Sequence, residues 1–486
     1  MKFTLSWLKE HLDTDATLDQ ITEALTDLGL EVEGVADPAR ALAPFTLAKV
    51  VHAEQHPDAD RLRVCRVMTD EGEKQIVCGA PNAREGITVV LAKPGDYVPG
   101  IDLTLSVGKI RGVESHGMMA SEREMQMSDE HDGIIELPSG EVGQRFVDWL
   151  AANRPEAVDP VIEIKITPNR PDALGVHGIA RDLAARGLGR LKPLKSIEVP
   201  GAFASSVKVA IAPDMAEKAP FFTGRVIRNV RNGPSPEWLQ KRLVAIGLRP
   251  INALVDITNF FTFDLNRPLH VFDAAKVRGD LHIRASGQGE EMLALDGKTY
   301  AFAPGTMVIA DDGGPVSIAG IMGGETTGAD EGTTSVFLES AYWDPIAVAT
   351  VGRALKINSD ARYRFERGAD PAFTLPGLEM ATQMVLDLCG GEAGEVVTAG
   401  AVPDTTRSYK LDPARVVSLV GMEIPEAEQR ATLEALGFRL EGDQAFVPSW
   451  RPDVQGSADL VEEVARIASL TKLQGQPLPR PQAGVP

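Results

Sequence analysis

Between Gly247 and Asp273 the chain reads GLRPINALVDITNFFTFDLNRPLHVFD. Leu254, Ile257 and Phe261 recur at helical spacing, and Val255 and Phe260 make the remaining run apolar, so the pattern predicts a helix buried on most sides. Such a helix belongs inside a large domain. It also carries Asp256, Thr258 and Asn259, and it ends in a loop holding Arg267 and His270. Polar groups in a buried segment need partners, either as satisfied core hydrogen bonds or as the lining of a pocket. Both readings stand.

Residues 17 to 29 predict a shorter helix with both ends marked. Thr17 caps it with Gln20 three residues on, Ile21, Leu25 and Leu28 form one face, and Gly29 stops it. From Phe45 to Val107 the pattern turns to short strands: Leu62 and Val64, Ile76 and Val77, then Ile87, Val89 and Leu91. The turns HPDAD, GAPN and KPGD separate them, which predicts a small barrel. Ile162, Ile164 and Ile166 alternate as a half-buried strand, and TPNRPDALGVHG leads into a helix through Ile179 and Leu183. This strand and helix supply the missing cover for the first helix, so the barrel reads as an insertion. Residues 205 to 400 form a mixed α/β region, and 401 to 475 a smaller unit ending in a helix. The tail QGQPLPRPQAGVP reads as a proline-rich linker.

A chain of 486 residues is too long for one core and divides into several domains. Its three cysteines, Cys65, Cys78 and Cys389, lie far apart, which indicates neither a disulfide framework nor a cysteine zinc site and fits a reducing cytosol. The opening MKFTLSWLKEHL turns charged too early for a signal peptide, and no run spans a bilayer, so a cytoplasmic protein without a membrane partner is expected. A net charge of −20 argues against a protein that coats nucleic acid non-specifically. Two local basic clusters remain. Arg225, Arg228, Arg231, Lys241, Arg242 and Arg249 face the single acid Glu237, and Arg362, Arg364 and Arg367 share DARYRFERGADP. Such runs are solvated faces or hold a polyanion.

His52 and His56 in HAEQH read as surface histidines, because the glutamate is misplaced for a metalloprotease. Gly320, Gly323 and Gly324 around IMGGE serve a tight turn or let backbone approach a ligand. In PSWRPDVQGSADLVEEVARI, Ser457 starts a helix whose apolar face is Leu460, Val461, Val464 and Ile467. Asp459, Glu462 and Glu463 share another side, with Asp453 just upstream. Oxygen ligands at that density suit Mg²⁺, and acids near a helix N-terminus are equally favoured by its dipole. Spacing alone leaves these two readings even.

HPDADRLRVCRV, QIVCGAPNAREG and KIRGVESHGMMASE with SDEHDGIIELP resemble the tRNA-binding OB domain of the bacterial phenylalanyl-tRNA synthetase β subunit. SWLKEHL and TPNRPDALGVHGIARDLAA resemble that subunit's split first domain, GLRPIN through RYRFERGADP its B3/B4 domain, and RPDVQGSADLVEEVARI its B5 domain. The resemblance implies a multidomain α+β fold. Residues 1–39 and 151–195 would form the split N-terminal α+β domain (B1), and 40–150 an OB-fold β-barrel inserted in it (B2). Residues 196–400 would form the B3/B4 editing domain, 401–476 a small α+β B5 domain, and 477–486 a linker in which the chain stops short of the family's synthetase-like and anticodon-binding domains.

The same resemblance implies an aminoacyl-tRNA ligase subunit that pairs with a catalytic α subunit in an (αβ)₂ heterotetramer and binds tRNA(Phe). ATP and phenylalanine would be used at the α site. The chain's own chemistry would be hydrolysis of mischarged Tyr-tRNA(Phe), with His270 and Glu339 as the catalytic pair. Arg249, Thr258, Asn259, Gly323, Gly324, Ser359 and Ala361 would complete the editing pocket, with backbone amides near the two glycines facing the oxyanion. Asp453, Asp459, Glu462 and Glu463 would bind Mg²⁺ shared with α. Two departures stand out: Ser359 replaces the usual threonine, and ASLTKLQ replaces a tyrosine-bearing segment after VEEVARI. A tRNA-binding module without activity, or a standalone trans-editing hydrolase, are the alternative readings.

Overall fold

The protein, seen here in a computed structural model, is described over residues 1–473 and 475; the expected linker 477–486 lies outside the described residues. The chain divides into two compact units, Val35–Val161 and the remainder, Met1–Gly34 with Ile162 onward. The inserted unit is wider at both ends than the expected 40–150. The chain leaves through the strand Glu31–Ala36 and returns through Val161–Lys165, which lie side by side in a three-stranded sheet with Lys2–Thr4.

In the inserted unit a sheet runs in the order Met118–Met119, Thr88–Ala92, Thr46–His56, Ala59–Thr69, Gly72–Cys78, with Glu136–Leu137 also on Thr88–Ala92. The strands alternate between two cores. Leu47 and Val90 face one, with Phe146 and Trp149 of the helix Phe146–Asn153, while Ala48, Val50, Val89 and Leu91 face the other. His56 corrects an expectation: it is buried, its Nδ1 accepts the Asp58 N–H at 3.0 Å, and its Nε2 lies 3.2 Å from the Ile110 carbonyl oxygen. It therefore ties the HPDAD turn to a distant strand. His52 lies nearer the surface beside Glu54 and Glu85.

In the other unit the helix Leu18–Asp27 begins as its sequence predicts, since Thr17 accepts from the Gln20 N–H and the Gln20 side chain accepts from the Thr17 N–H. Ile21 and Leu25 share a core with Ile179 and Leu183 of the helix Val176–Ala185. The mixed α/β part holds two five-stranded sheets. One runs His270–Asp273, Ser335–Tyr342, Phe221–Arg228, Glu392–Ala393, with Val397–Gly400 also on Phe221–Arg228. Its Val271, Val336 and Leu338 face a core shared with the helices Ala253–Leu265 and Thr374–Cys389. Phe222, Phe272 and Phe337 face a second core, shared with the sheet Val209–Ile211, Leu281–Ala285, Met307–Asp311, Gly314–Ile318, Met322–Gly323.

The buried helix Ala253–Leu265 starts at Asn252, whose side chain accepts from the Val255 N–H, and stops at Asn266 in the left-handed region. Its polar residues are mostly satisfied core groups. Asp256 accepts from Ser235 Oγ and from the Ile251 N–H, Asp264 accepts from Trp7 Nε1 at 2.7 Å, and Arg267 donates to the carbonyls of Ala341 and Asp370. The basic clusters dissolve in the same way. Arg225 is buried against Glu379 and the Gly394 carbonyl, Arg364 against Asp360 and the Phe263 ring, while Arg228 pairs with Glu392. Of the first cluster, Arg231 and Arg249 stay exposed and among the described residues make no ion pair, so no continuous polyanion face forms there. Among the described residues no helix is long and apolar enough to cross a membrane.

Candidate functional site

His270 opens the edge strand of its sheet, and its register partner across the antiparallel ladder is Glu339. Directly opposed residues share a face of a sheet, and the alternation places both on the face of Phe272 and Phe337, toward the second core. The His270 ring stands edge-on to Phe272 at 4.4 Å between centroids. On the far side of Glu339 the register partner is Gly224, where a Cβ would lie 2.4 Å from the Phe337 ring. A larger residue at Gly224 would push that ring from its place. The signal was available, since an isolated glycine inside a strand marks a close approach.

The second sheet closes over the pair. A Cβ built on Gly323 would lie 2.3 Å from His270 Cε1 and 2.6 Å from Nε2, so the glycine backbone is what leaves the imidazole its place. Ser359 caps the short helix Asp360–Phe365, accepting from the Arg362 N–H, and donates its hydroxyl to the Ile321 carbonyl at 2.7 Å. It thereby anchors the turn that delivers Met322–Gly323. Ala361 is half-buried against the same core.

His270 Nε2 and Glu339 Oε2 are both shielded from solvent and have no hydrogen-bond partner. Burial pushes the Glu339 carboxyl up to about 8 and the His270 imidazole down to about 4. Between those values both groups are uncharged. A buried polar atom without a partner costs about 1–3 kcal/mol, and two of them on facing residues form a reserve of unspent hydrogen bonding.

The other expected pocket residues are placed less directly. Thr258 and Asn259 lie on the buried helix; the Thr258 hydroxyl donates to the Val255 carbonyl and the half-buried Asn259 side chain makes no hydrogen bond. Arg249 is exposed in the preceding loop. The Gly324 N–H donates to the Val316 carbonyl at 2.8 Å, so it is not free to face an oxyanion, which corrects that expectation.

The expected Mg²⁺ set is not assembled either. Glu463 is buried and accepts from Arg451 Nη1 and from Arg466 Nε at 2.8 Å; these guanidiniums hold its carboxyl well below the ordinary range despite burial. Asp453 is clamped by Arg451 at 2.9 and 2.7 Å, and Asp459 accepts from the Gln455 N–H, which leaves Glu462 exposed and alone. Among the described residues no group of three or more His, Cys, Asp or Glu side chains could hold a metal ion. The donor set does not fit magnesium within this chain. What the carboxylates build instead is a closed ionic cluster: Arg466 also binds Asp182, Asp182 binds Arg170, and Arg170 binds Asp172, all buried. The helix starts at Ser457 as expected, with Gly456 at its cap position.

Three family models match the chain: a putative tRNA binding domain over residues 45–145, a B3/4 domain over 218–390 and a tRNA synthetase B5 domain over 409–469. His270 and Glu339 fall within the second of these. Two of the three matched domains are named for tRNA binding or for a tRNA synthetase. Over its whole length it is 73% identical to the phenylalanine–tRNA ligase β subunit of Ruegeria pomeroyi and 66% identical to that of Cereibacter sphaeroides, covering 61% of each. It is similar to these β subunits along its whole length and spans about three fifths of the length of the relatives it matches. An N-terminal fragment of the phenylalanyl-tRNA synthetase β-subunit from Pyrococcus horikoshii shares 16% identity at a TM-score of 0.35, over 64% of this chain and 87% of that one.

Proposed function

We propose that this chain is the tRNA-holding and proofreading part of a phenylalanine–tRNA ligase β subunit, and that it hydrolyses tyrosine mischarged onto tRNA(Phe) at His270 and Glu339. The observation that carries this reading is the pair itself: two facing side chains, uncharged near neutral pH, each with an unpartnered polar atom. Tyrosine differs from phenylalanine by one hydroxyl. A phenol that reached Glu339 would satisfy its orphaned oxygen, whereas phenylalanine would leave it unpaired, and a site built around such a bond discriminates strongly. Neither orphaned atom has accessible surface, so the aminoacyl group enters by displacing the side chains around them.

In the reaction the water oxygen attacks the acyl carbon, the bond to the ribose oxygen breaks, and a proton passes to that oxygen. His270 is held neutral, so its ring nitrogen accepts a hydrogen bond from the water and aims it; positioning rather than strong basicity is its contribution. Ser359 and Gly323 keep the ring in place, with Ala361, Thr258, Asn259 and Arg249 assigned to the surrounding wall and rim.

In this reading 1–39 with 151–195, 40–150, 196–400 and 401–476 are the split first domain, the OB-fold tRNA-binding domain, the B3/B4 domain and the B5 domain. The chain works in the cytoplasm with an α subunit in an (αβ)₂ heterotetramer. ATP and Mg²⁺ belong to the aminoacylation carried out by α. The test is to incubate the purified chain with Tyr-tRNA(Phe) and with Phe-tRNA(Phe), with and without α. The tyrosyl ester should be cut and the phenylalanyl ester spared, and His270→Ala should slow the first. Equal rates on the two esters, or an unaltered rate in His270→Ala, would refute the assignment. RNA retention without hydrolysis would leave a binding module.

A further inference from the structure

A second cavity of about 430 Å³ lies beside the helices Val176–Ala185 and Glu426–Ala435, next to Trp450 and away from His270. That volume suits a small ligand. Arg181 is its one cation. The guanidinium lies 4.3 Å above the Trp450 ring, and its one hydrogen-bond partner is His177 Nδ1 at 3.4 Å. Arg170, Arg451 and Arg466 are each bound by two carboxylates, whereas among the described residues none forms an ion pair with Arg181, which feels Asp172, Asp182 and Asp370 only at longer range. A largely buried cation with no anion in contact is costly, and the negative group of a ligand supplies that contact.

The walls narrow the identity of that counter-charge. His177 adds no charge of either sign: an imidazole is never the anion, and burial, then Arg181 and His11, push it down to about 3, which keeps it neutral. Asn266 is more than nine-tenths buried and lines the cavity; its Nδ2 donates to the Pro171 carbonyl while its Oδ1 has no partner. Trp450 Nε1 on the same wall is also unpartnered. Of the lining acids, Asp172 is taken by Arg170, Asp370 accepts from the Ala372 N–H, and Glu434 is exposed at the rim. Leu191, Leu265 and Phe373 supply apolar wall. A ligand here carries one negative group for Arg181, an apolar body, and a positive group that the acids accept. A phosphate dianion would set excess negative charge against Asp172, Asp370 and Glu434.

We propose that this cavity binds a free α-amino acid with an apolar side chain, its carboxylate on the Arg181 guanidinium, its ammonium toward Asp370 and Glu434, and its side chain against Leu265 and Phe373. The site is independent of the proofreading pair. Calorimetric titration of the full chain with L-leucine and L-phenylalanine tests it, with the matching decarboxylated amines and inorganic phosphate as separate arms. Saturable binding of an amino acid is expected, absent for the amines and for phosphate. Arg181→Gln should weaken it by roughly tenfold or more, the loss of a charge-assisted bond. Glu434→Lys and Ala435→Trp, at exposed positions that do not threaten folding, should weaken it too, by reversing the rim charge and by filling the mouth. Glu339→Gln should leave it unchanged. Absence of saturable binding, binding of phosphate instead, retention in both Arg181→Gln and Ala435→Trp, or loss in Glu339→Gln would each overturn the proposal.

Discussion

Glu339→Gln should stabilise the sheet that holds it, and by an amount set by pH. The folded protein binds the Glu339 proton more tightly than the unfolded chain, with a pKa of about 8 against an ordinary 4.5. A raised carboxyl contributes its full share of stability below about 4.5 and loses it progressively as pH rises toward 8. At about 1.4 kcal/mol per pH unit, the native state forgoes about 3 kcal/mol by pH 7. Glutamine has the same shape, never ionises and escapes this penalty. The variant should match the wild type near pH 4.5 and exceed it by about 3 kcal/mol at pH 7. Because the chain has two compact units, a single global unfolding energy is not well defined. Amide exchange of peptides spanning His270–Asp273 and Ser335–Tyr342, compared between wild type and variant at each pH, isolates the relevant sheet. A gap of the same size at pH 5 and pH 7.5 would mean that Glu339 titrates normally, and the argument from its solitude would fail.

Gly323→Ala puts a methyl group 2.3 Å from the His270 ring carbon, so the imidazole must move. Single-turnover hydrolysis of Tyr-tRNA(Phe) should fall on the order of a hundredfold with the far-ultraviolet spectrum intact; a wild-type rate would show that ring position is irrelevant. Since His270 stays neutral down to about 4, that hydrolysis should be level from pH 7 to 5 and decline only below; a decline centred near 6.5 would place the ring in water. Glu463→Gln leaves Arg451 and Arg466 without their shared anion and should cost about 3–5 kcal/mol, read by amide exchange of peptides spanning Ser457–Ala468. A change under 1 kcal/mol would mean that the remaining acids compensate fully.

The amino-acid order alone made local features plain and left long-range ones hidden. The Thr17–Gln20 capping box and the burial of Ala253–Leu265 follow from neighbours a few residues apart, and both stand in the fold. The facing of His270 and Glu339 depends on a strand register between distant segments, which periodicity cannot supply, and only the family resemblance brought the two together. Arg225 looked like part of a charged face because its partners, Glu379 and Gly394, are remote in sequence. Glu463 misled for another reason, since spacing does not show which way a neighbouring side chain turns. Three acids on one helix resemble a cation site until Arg466, three residues on, and Arg451, in the same motif, are seen to turn onto one of them.

The cluster of Arg170, Asp172, Asp182, Arg451, Glu463 and Arg466 is walled off from water. Dissolved ions therefore cannot reach it, whereas exposed pairs such as Arg190 with Asp13 are open to them. The molecule also carries a net charge of −20, whose self-repulsion added electrolyte relieves. Brine should thus tighten this protein rather than loosen it, with the inner lattice intact while the outer charges fall silent.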